Sequence, residues 1–302
     1  MKVKSQSCVS GKAVRRTAVC GTQAVGIDLA GFSTGTTVVA VAAEDGDSIH
    51  CRIMDSHPLS RRRGGDDDLA AAIAEETDFF AELAVLGKVL VDVPIDLQSL
   101  AGIFLPMEGG QSKQEASRIV ELYKRPIDET LGALSPVADR LAAPVIRFAA
   151  IARNLEVHHP GLLVLGENLF ETYPKPSFEN LIAGSCRGYK SSNAYPLHGR
   201  VLPQNTPIRG PINLLERISF THGVVIESLG TCEITDHVAD AIFCAVLGLK
   251  SFEGVVVQNR KELLDFGCDL GRIVPEKLQF PRGYRLLGSW PSTIKRLVIE
   301  QA

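Results

Sequence analysis

The chain has 302 residues and a formal net charge of −3 at pH 7, with 45% hydrophobic and 22% charged residues. This composition is that of an ordinary globular protein, and the length allows one large domain or two modest ones. No run of about 18 apolar residues occurs, which argues against a transmembrane helix. The slightly acidic charge balance does not favour a nucleic-acid binder.

The N-terminal segment and the cysteines indicate the cellular compartment of the protein. Residues 1–23 contain five basic residues but no long apolar run, so they predict a disordered basic tail rather than a secretory signal. The seven cysteines are scattered, without a Cys-x-x-Cys pair. Such a set indicates free thiols in a reducing compartment, and the prediction is a cytoplasmic protein that does not associate with membranes.

The first third of the chain predicts a mixed α/β sheet. Residues 24–30 and 36–43 are typical of a hairpin, and residues 48–57 predict a third antiparallel strand. A helix follows through about Leu86, after three acids that suit a helix N-terminus. The run 88–95 is continuously apolar until Pro94, which is typical of a strand buried on both faces. The class is therefore α/β.

The remainder predicts a helical insertion or cap at about 97–160, a strand within 162–174, and a strong helix over 232–250. Between the last two lie a long loop rich in Gly, Pro, Ser and Asn, a short helix and a possible strand. We predict one domain over 24–250, with 251–302 as an extension packed on it. That extension is expected to hold one strand, at "GVVVQ", and a partly irregular tail.

Two acids stand out in the helix predicted at 232–250. At about 100° per residue, Asp236 and Asp240 lie one above the other, and the same stripe continues to Phe243 and Leu247. Both carboxylates are therefore expected on the face that packs inward. Two like charges on such a face repel each other, and a divalent metal offsets that repulsion best.

Further acids fall at strands. Asp28 interrupts an apolar strand and is flanked on its own face by Gly26 and Ala30, which we expect to leave room for an ion. Asp92 ends the buried run, and Glu171 lies near the end of another strand, where ligand sites of α/β sheets gather. No matching array of Lys or Arg occupies equivalent positions.

Together these acids predict a metal-dependent catalytic site. Hard carboxylate ligands suit Mg²⁺ or Mn²⁺, and two such ions about 3.5–4 Å apart can hydrolyse a phosphodiester. Most of these acids also have a structural alternative: Asp28 and Asp92 could be satisfied by hydrogen bonds, Glu171 could be exposed, and Asp236 follows Thr235 as a first-turn acid would. Asp240, in mid-helix among apolar residues, is the hardest to explain structurally. The predicted catalytic acids are Asp28, Asp92, Glu171, Asp236 and Asp240. All of them except Glu171 are also the predicted metal ligands.

Four motifs, in order, resemble those of the DUF429 family: "VGIDLAG", "VDVPI", "FETYP" with the following "PSF", and "DHVADAI". The resemblance covers about residues 24–250. Members of that family are regarded as predicted nucleases with the RNase H-like fold. A further stretch, "RPIDETLG", resembles an Arg-x-x-Asp motif of the family and adds Arg125 and Asp128.

The resemblance implies an RNase H-like core: a five-stranded mixed sheet whose first three strands are antiparallel, flanked by helices. It also implies metal ligands at Asp28, Asp92, and Asp236 or Asp240. Glu171 would then be a fourth or fifth carboxylate of the site. The basic tail and the long extension after residue 250 depart from the family's usual pattern, which leaves the substrate open.

A basic segment could bind a phosphate chain. Residues 175–217 contain six basic residues against two glutamates, with tyrosines and a phenylalanine interleaved. Lys175 and Lys190, with Arg125, are the predicted substrate-binding residues. The alternative for this segment is a solvated loop with ordinary surface charge.

Three functions compete. The first is a metal-dependent nuclease or phosphodiesterase acting on nucleic acid or another phosphodiester. The second is an ATP-binding phosphotransferase of the actin-like or sugar-kinase class, in which the turn of "GIDLAGFSTGT" would bind phosphate. This one ranks lower because "VDVPIDL" has Pro and Ile where glycines are needed. The third is a non-catalytic interaction module on the RNase H-like fold. The oligomeric state is open.

Overall fold

The computed structural model describes residues 23–54, 56–64, 68–93, 139–164, 168–190, 207–229, 233–249, 255–259, 279–287 and 293–301. These residues form an α/β structure around one mixed sheet of nine strands, in the order β6-β9-β3-β2-β1-β4-β5-β8-β7. The strands are β1 (Gln23–Asp28), β2 (Val38–Asp45), β3 (Ser48–Met54), β4 (Lys88–Val91), β5 (Leu169–Thr172), β6 (Val225–Leu229), β7 (Val255–Asn259), β8 (Gln279–Leu287) and β9 (Arg296–Gln301). The helices are α1 (Leu69–Leu86), α2 (Asp139–His158), α3 (Pro174–Leu181), α4 (Pro211–His222) and α5 (Asp236–Gly248).

The centre of the sheet confirms the predicted α/β class and the antiparallel start. β1 and β2 pair antiparallel, from Gln23 opposite Ala43 to Asp28 opposite Val38, and β3 pairs antiparallel with β2. β4 then lies parallel to β1, and β5 lies parallel to β4. The carboxyl ends of β1, β4 and β5 therefore meet at one edge of the sheet.

The sheet has more strands than the five that the family resemblance implies. β9 belongs to the segment predicted as a partly irregular tail, in which no strand was predicted beyond "GVVVQ". It lies between β3 and β6 and pairs parallel with both. Its centre, Leu297, Val298 and Ile299, is buried. β8 pairs parallel with β5 and antiparallel with β7. A three-residue apolar centre is a weak local signal, and its partners are distant in the chain, so pattern alone did not find β9.

Helices cover both faces of the sheet. α1 and α2 bury Phe80, Leu83 and Phe148 against one face, while α3, α4 and α5 pack against the other. α5 lies directly on β1 at Gly26, where an added Cβ would be 2.1 Å from the carbonyl oxygen of Ala241. The small residue at position 26 therefore admits a helix backbone rather than an ion, which corrects the sequence interpretation.

A buried ion pair connects the two helices, α1 and α2, that cover one face of the sheet. Arg147 of α2 donates from Nε and Nη2 to the two carboxylate oxygens of Glu76 on α1, at 2.9 and 2.7 Å. Its guanidinium also donates to the carbonyl oxygens of Ala30 and Leu59, at 2.8 and 3.0 Å. Both side chains of the pair are fully buried. One arginine thus connects α1 and α2 to the loops that follow β1 and β3.

Three further predicted elements lie within the described residues and are present with shifted bounds. α1 begins after Asp68, whose carboxylate accepts from the backbone amides of Ala70 and Ala71. The strand predicted within 162–174 is β5, and the helix predicted at 232–250 begins only at Asp236. Its cap is Thr235, which accepts from the amide of Val238. No helix among the described residues is both long and apolar enough to cross a membrane.

Several predictions concern residues outside the described ranges: the basic tail up to residue 22, much of the insertion before α2, and residues 191–206 of the long loop. Arg125 and Asp128 are among them. The three cysteines the structure describes as free, Cys51, Cys186 and Cys244, are buried.

Candidate metal centre

Two of the predicted acids lie side by side at the carboxyl edge of the sheet. Asp28 is the last residue of β1, and Asp92 directly follows β4. The two strands are parallel with Ile27 opposite Val91, and the amide of Asp92 donates to the carbonyl oxygen of Ile27 at 2.8 Å. The register of the sheet therefore brings the two carboxylates together.

Asp240 joins them from α5. It lies in the second turn of the helix and is 0% exposed. Because Gly26 lets α5 approach β1, this turn of the helix lies close to the end of that strand. Asp28, Asp92 and Asp240 each offer a carboxylate oxygen, and these oxygens lie within 4.8 Å of one another. The convergence predicted from the sequence is present for these three acids.

Three carboxylates this close disfavour one another's charge. Burial raises the pKa of Asp92 well above its usual range, and the charges of Asp240 and Asp28 raise it further. Burial also raises the pKa of Asp240 to about 7, although Lys190 pulls in the opposite direction. A bound cation would restore the fully ionised form of both acids.

One cation is already present. The ammonium of Lys190 lies 3.0 Å from Oδ2 of Asp240, and the hydroxyl of Tyr189 lies 3.5 Å from the same oxygen. Burial lowers the pKa of Lys190, but the charges of Asp240 and Asp92 raise it more, so the net shift is upward. The sequence showed no matching array of basic residues at the positions of the acids, and Lys190 contacts the cluster from the turn at 187–190 instead.

The other oxygen of Asp240 is different. Oδ1 is buried and has no hydrogen-bond partner among the described residues. A buried carboxylate oxygen without a partner costs free energy, and bound metal ions are among the partners that remove this cost. Carboxylate oxygens are also the hard ligands that Mg²⁺ and Mn²⁺ prefer. The residues present therefore fit a divalent ion of this class.

His237 is a site residue that sequence reasoning missed. Its Nδ1 lies 2.5 Å from Oδ2 of Asp28, and its side chain is 43% exposed. The hydrogen bond with Asp28 raises the pKa of His237, against an opposing effect of burial. A signal existed in the sequence, because His237 precedes Asp240 by three residues and helical spacing puts such residues on one face.

The remaining predicted residues lie around this cluster or apart from it. Glu171 is buried in β5, and its charge makes the smallest upward contribution to the pKa of Asp92. Asp236 lies half-buried in the first turn of α5 and is not among the three acids that meet. Lys175 is exposed on α3. Of the two alternatives left by the sequence, the structure brings Asp240 rather than Asp236 to the other acids.

Comparisons with protein-family models, with curated proteins and with solved structures found no match to this chain.

Proposed function

We propose that this protein is a metal-dependent phosphodiesterase, with nucleic acid as the favoured substrate class and Mg²⁺ or Mn²⁺ as the cofactor. One observation carries the proposal. Carboxylate oxygens of Asp28, Asp92 and Asp240 converge within 4.8 Å, and the most buried of these acids has one oxygen without a hydrogen-bond partner in the described part of the chain. Such a set of acids is costly to the apo fold, and ion binding gives a reason for it.

The topology supports the same proposal. The central order β3-β2-β1-β4-β5, with three antiparallel strands followed by two parallel ones, is the order of the RNase H-like fold. In this proposal α5, which packs on β1 and carries Asp240, takes the place of the acidic helix of that fold. We include membership of the DUF429 family in the proposal, on the four motifs quoted above.

Each residue of the site would have a role that follows from its position. Asp28, Asp92 and Asp240 would hold the ion, and Glu171 adds negative charge from the next strand. A divalent ion in such a site activates water and stabilises the leaving oxygen of a phosphodiester. His237 orients the carboxylate of Asp28 through its Nδ1. Lys190 lies at the half-exposed side of the cluster, where an anionic substrate can approach.

A thermal-shift experiment tests the metal site. Mg²⁺ or Mn²⁺ at about a hundred times its Kd should add about 2.7 kcal/mol to the free energy of unfolding. Asp240→Asn should remove this gain, because it removes a ligand. Asp78→Asn, an exposed acid on α1, should keep it in full. Asp236→Asn should keep most of it, which separates the two alternatives that the sequence left open.

The competing functions give different results in the same assay. An ATP-binding phosphotransferase should be stabilised by ATP analogues, and an interaction module by neither metal nor nucleotide. A panel of single- and double-stranded DNA and RNA should be cleaved by the wild type with Mn²⁺ and not by Asp28→Asn or Asp240→Asn. Cleavage that persists in both folded variants would refute the proposed catalytic role of the cluster.

A further inference from the structure

We propose that the acidic cluster takes a single divalent ion and that the ammonium of Lys190 supplies the second positive charge, where it binds a phosphate oxygen of the substrate. This inference rests on the proposed function and adds to it how many ions bind and how the substrate is held. It replaces the two-ion arrangement that the sequence allowed.

The two oxygens of Asp240 already have different environments. Oδ2 faces the ammonium of Lys190 at 3.0 Å, while Oδ1 is buried and without a hydrogen-bond partner in the described part of the chain. An ion bound through Oδ1 therefore leaves the contact with Lys190 in place. One divalent ion and one ammonium together match the charge of the three carboxylates that meet, which leaves Glu171 as the further acid nearby, so no second divalent ion is needed before substrate arrives.

Lys190 is also placed to contact a ligand. Its side chain is 55% exposed although its ammonium contacts a fully buried carboxylate, so Lys190 extends from the exposed surface to the cluster. An ammonium has three hydrogens to donate, and one contact with Asp240 leaves donors for a phosphate oxygen. Lysine is a common phosphate ligand of this kind.

The turn that carries Lys190 is anchored to the helix that carries Asp240. The ring of Tyr189 packs edge-on against Phe178, with centroids 5.2 Å apart, and Phe178 packs in the same way against Phe243 of α5, at 4.1 Å. The amide of Tyr189 donates to the carbonyl of Cys186 at 3.1 Å. The ammonium of Lys190 also lies 5.5 Å from the ring centre of Tyr189. The position of Lys190 is therefore built into the packing of α3 and α5.

Titration of the metal-free protein with Mn²⁺ tests the inference. By calorimetry, the wild type should bind one Mn²⁺ per chain. Lys190→Met should bind this ion about tenfold more tightly, because a positive charge close to the bound ion is lost. Lys190→Arg should stay within about threefold of the wild type, because it keeps the charge.

Lys295→Met is the matched control. Lys295 is exposed and directly precedes β9. β9 is parallel to β3, and β3 runs in the same direction as β1. The amino end of β9, where Lys295 lies, is therefore at the other edge of the sheet from Asp28, which ends β1. Lys295→Met loses the same charge and should leave Mn²⁺ affinity unchanged. With Mn²⁺ saturating, hydrolysis of bis-p-nitrophenyl phosphate should fall about tenfold in Lys190→Met and be restored in Lys190→Arg.

The possible failures are distinct. Two Mn²⁺ per wild-type chain, or equal affinity in Lys190→Met and Lys295→Met, would overturn the role of Lys190 and leave the metal site standing. No Mn²⁺ bound to the wild type would overturn the proposed function itself. If circular dichroism shows that Lys190→Met is unfolded, the same comparison with Lys190→Gln decides.

Discussion

The two faces of the sheet each bury charged side chains, and they do so in opposite ways. On the α1 and α2 face, Arg147 and Glu76 form a bidentate pair, and the guanidinium also donates to two backbone carbonyls. On the α5 face, three carboxylates meet, and Lys190, Tyr189 and His237 contact them. Oδ1 of Asp240 is buried there without a hydrogen-bond partner among the residues that the structure describes. The first cluster is balanced by the protein's own atoms, and the second is not.

This difference separates a structural role from a functional one. A buried ion pair with complete hydrogen bonding does not need a ligand, and its role is to hold together the elements that it connects. A buried cluster with excess charge of one sign destabilises the fold unless something binds there. Substitutions in the two clusters should therefore change stability and metal binding in different ways.

Breaking the balanced cluster should have the largest effect on stability. Arg147→Met leaves the Glu76 carboxylate buried without its partner and takes donors from the carbonyls of Ala30 and Leu59, so the free energy of unfolding should fall by about 3–5 kcal/mol in urea titrations. The double variant with Glu76→Leu should lose less than Arg147→Met alone. If Arg147→Met instead stays within about 1 kcal/mol of the wild type, the pair contributes no more than an exposed ion pair does and does not hold α1 and α2 in place.

Gly26→Ala should disturb both stability and the acidic cluster. Its new Cβ would lie 2.1 Å from the carbonyl oxygen of Ala241 and 2.2 Å from the amide nitrogen of Ala245, so α5 must shift. Overpacking of this kind costs about 1–3 kcal/mol. Because Asp240 moves with α5, Mn²⁺ affinity should fall as well. Gly46→Ala, at a turn with nothing within 4 Å of the added Cβ, is the comparison for metal affinity, which it should leave unchanged.

His57 should make the balanced face sensitive to acid. Burial first, and then the charge of Arg147, lower the pKa of His57 from 6.5 to about 4. The folded state therefore resists a proton that the unfolded chain accepts, so this contribution to stability is complete above pH 6.5 and is lost as the pH falls toward 4.

Between pH 7 and pH 5 the wild type should lose about 2 kcal/mol through this residue. His57→Phe, which keeps the stacking on Phe79, should remove that part of the pH dependence. Urea titrations at the two pH values measure it. An unchanged slope in the variant would show that His57 is not held neutral by burial.

Asp240→Asn should change the free energy of unfolding least of these variants, and it should raise stability rather than lower it. In metal-free buffer at pH 8 it relieves repulsion from Asp28 and Asp92, so the free energy of unfolding should stay level or rise by about 1 kcal/mol. The same variant should lose stabilisation by Mn²⁺. A loss of several kcal/mol without metal would instead show that Asp240 is a structural acid satisfied by Lys190.

The sequence predicted the carboxylate cluster better than the balanced pair. Asp28 and Asp92 could be placed because strand ends of an α/β sheet share an edge, and Asp240 because an acid in an apolar helix has few structural explanations. Glu76 and Arg147 give no comparable signal. Each lies in a helix where charged residues are ordinary, and only the packing of α1 on α2 shows that they meet.

Other misses have a similar cause. Gly26 was taken as space for an ion, because a strand pattern shows which face a residue occupies but not what covers that face. Lys190 was predicted to bind substrate as part of a basic segment, and its contact with Asp240 depends on the fold of the turn at 187–190. β9 pairs with strands far away in the chain, which no local pattern reports.

The central claim is that the α5 face is completed by a divalent ion. Crystals of the metal-free protein soaked in Mn²⁺ and measured at the manganese absorption edge test it directly. We expect one anomalous peak, bonded to Asp28, Asp92 and Oδ1 of Asp240, with the ammonium of Lys190 still in contact with Oδ2. Fully soaked crystals without a peak between these carboxylates would contradict it.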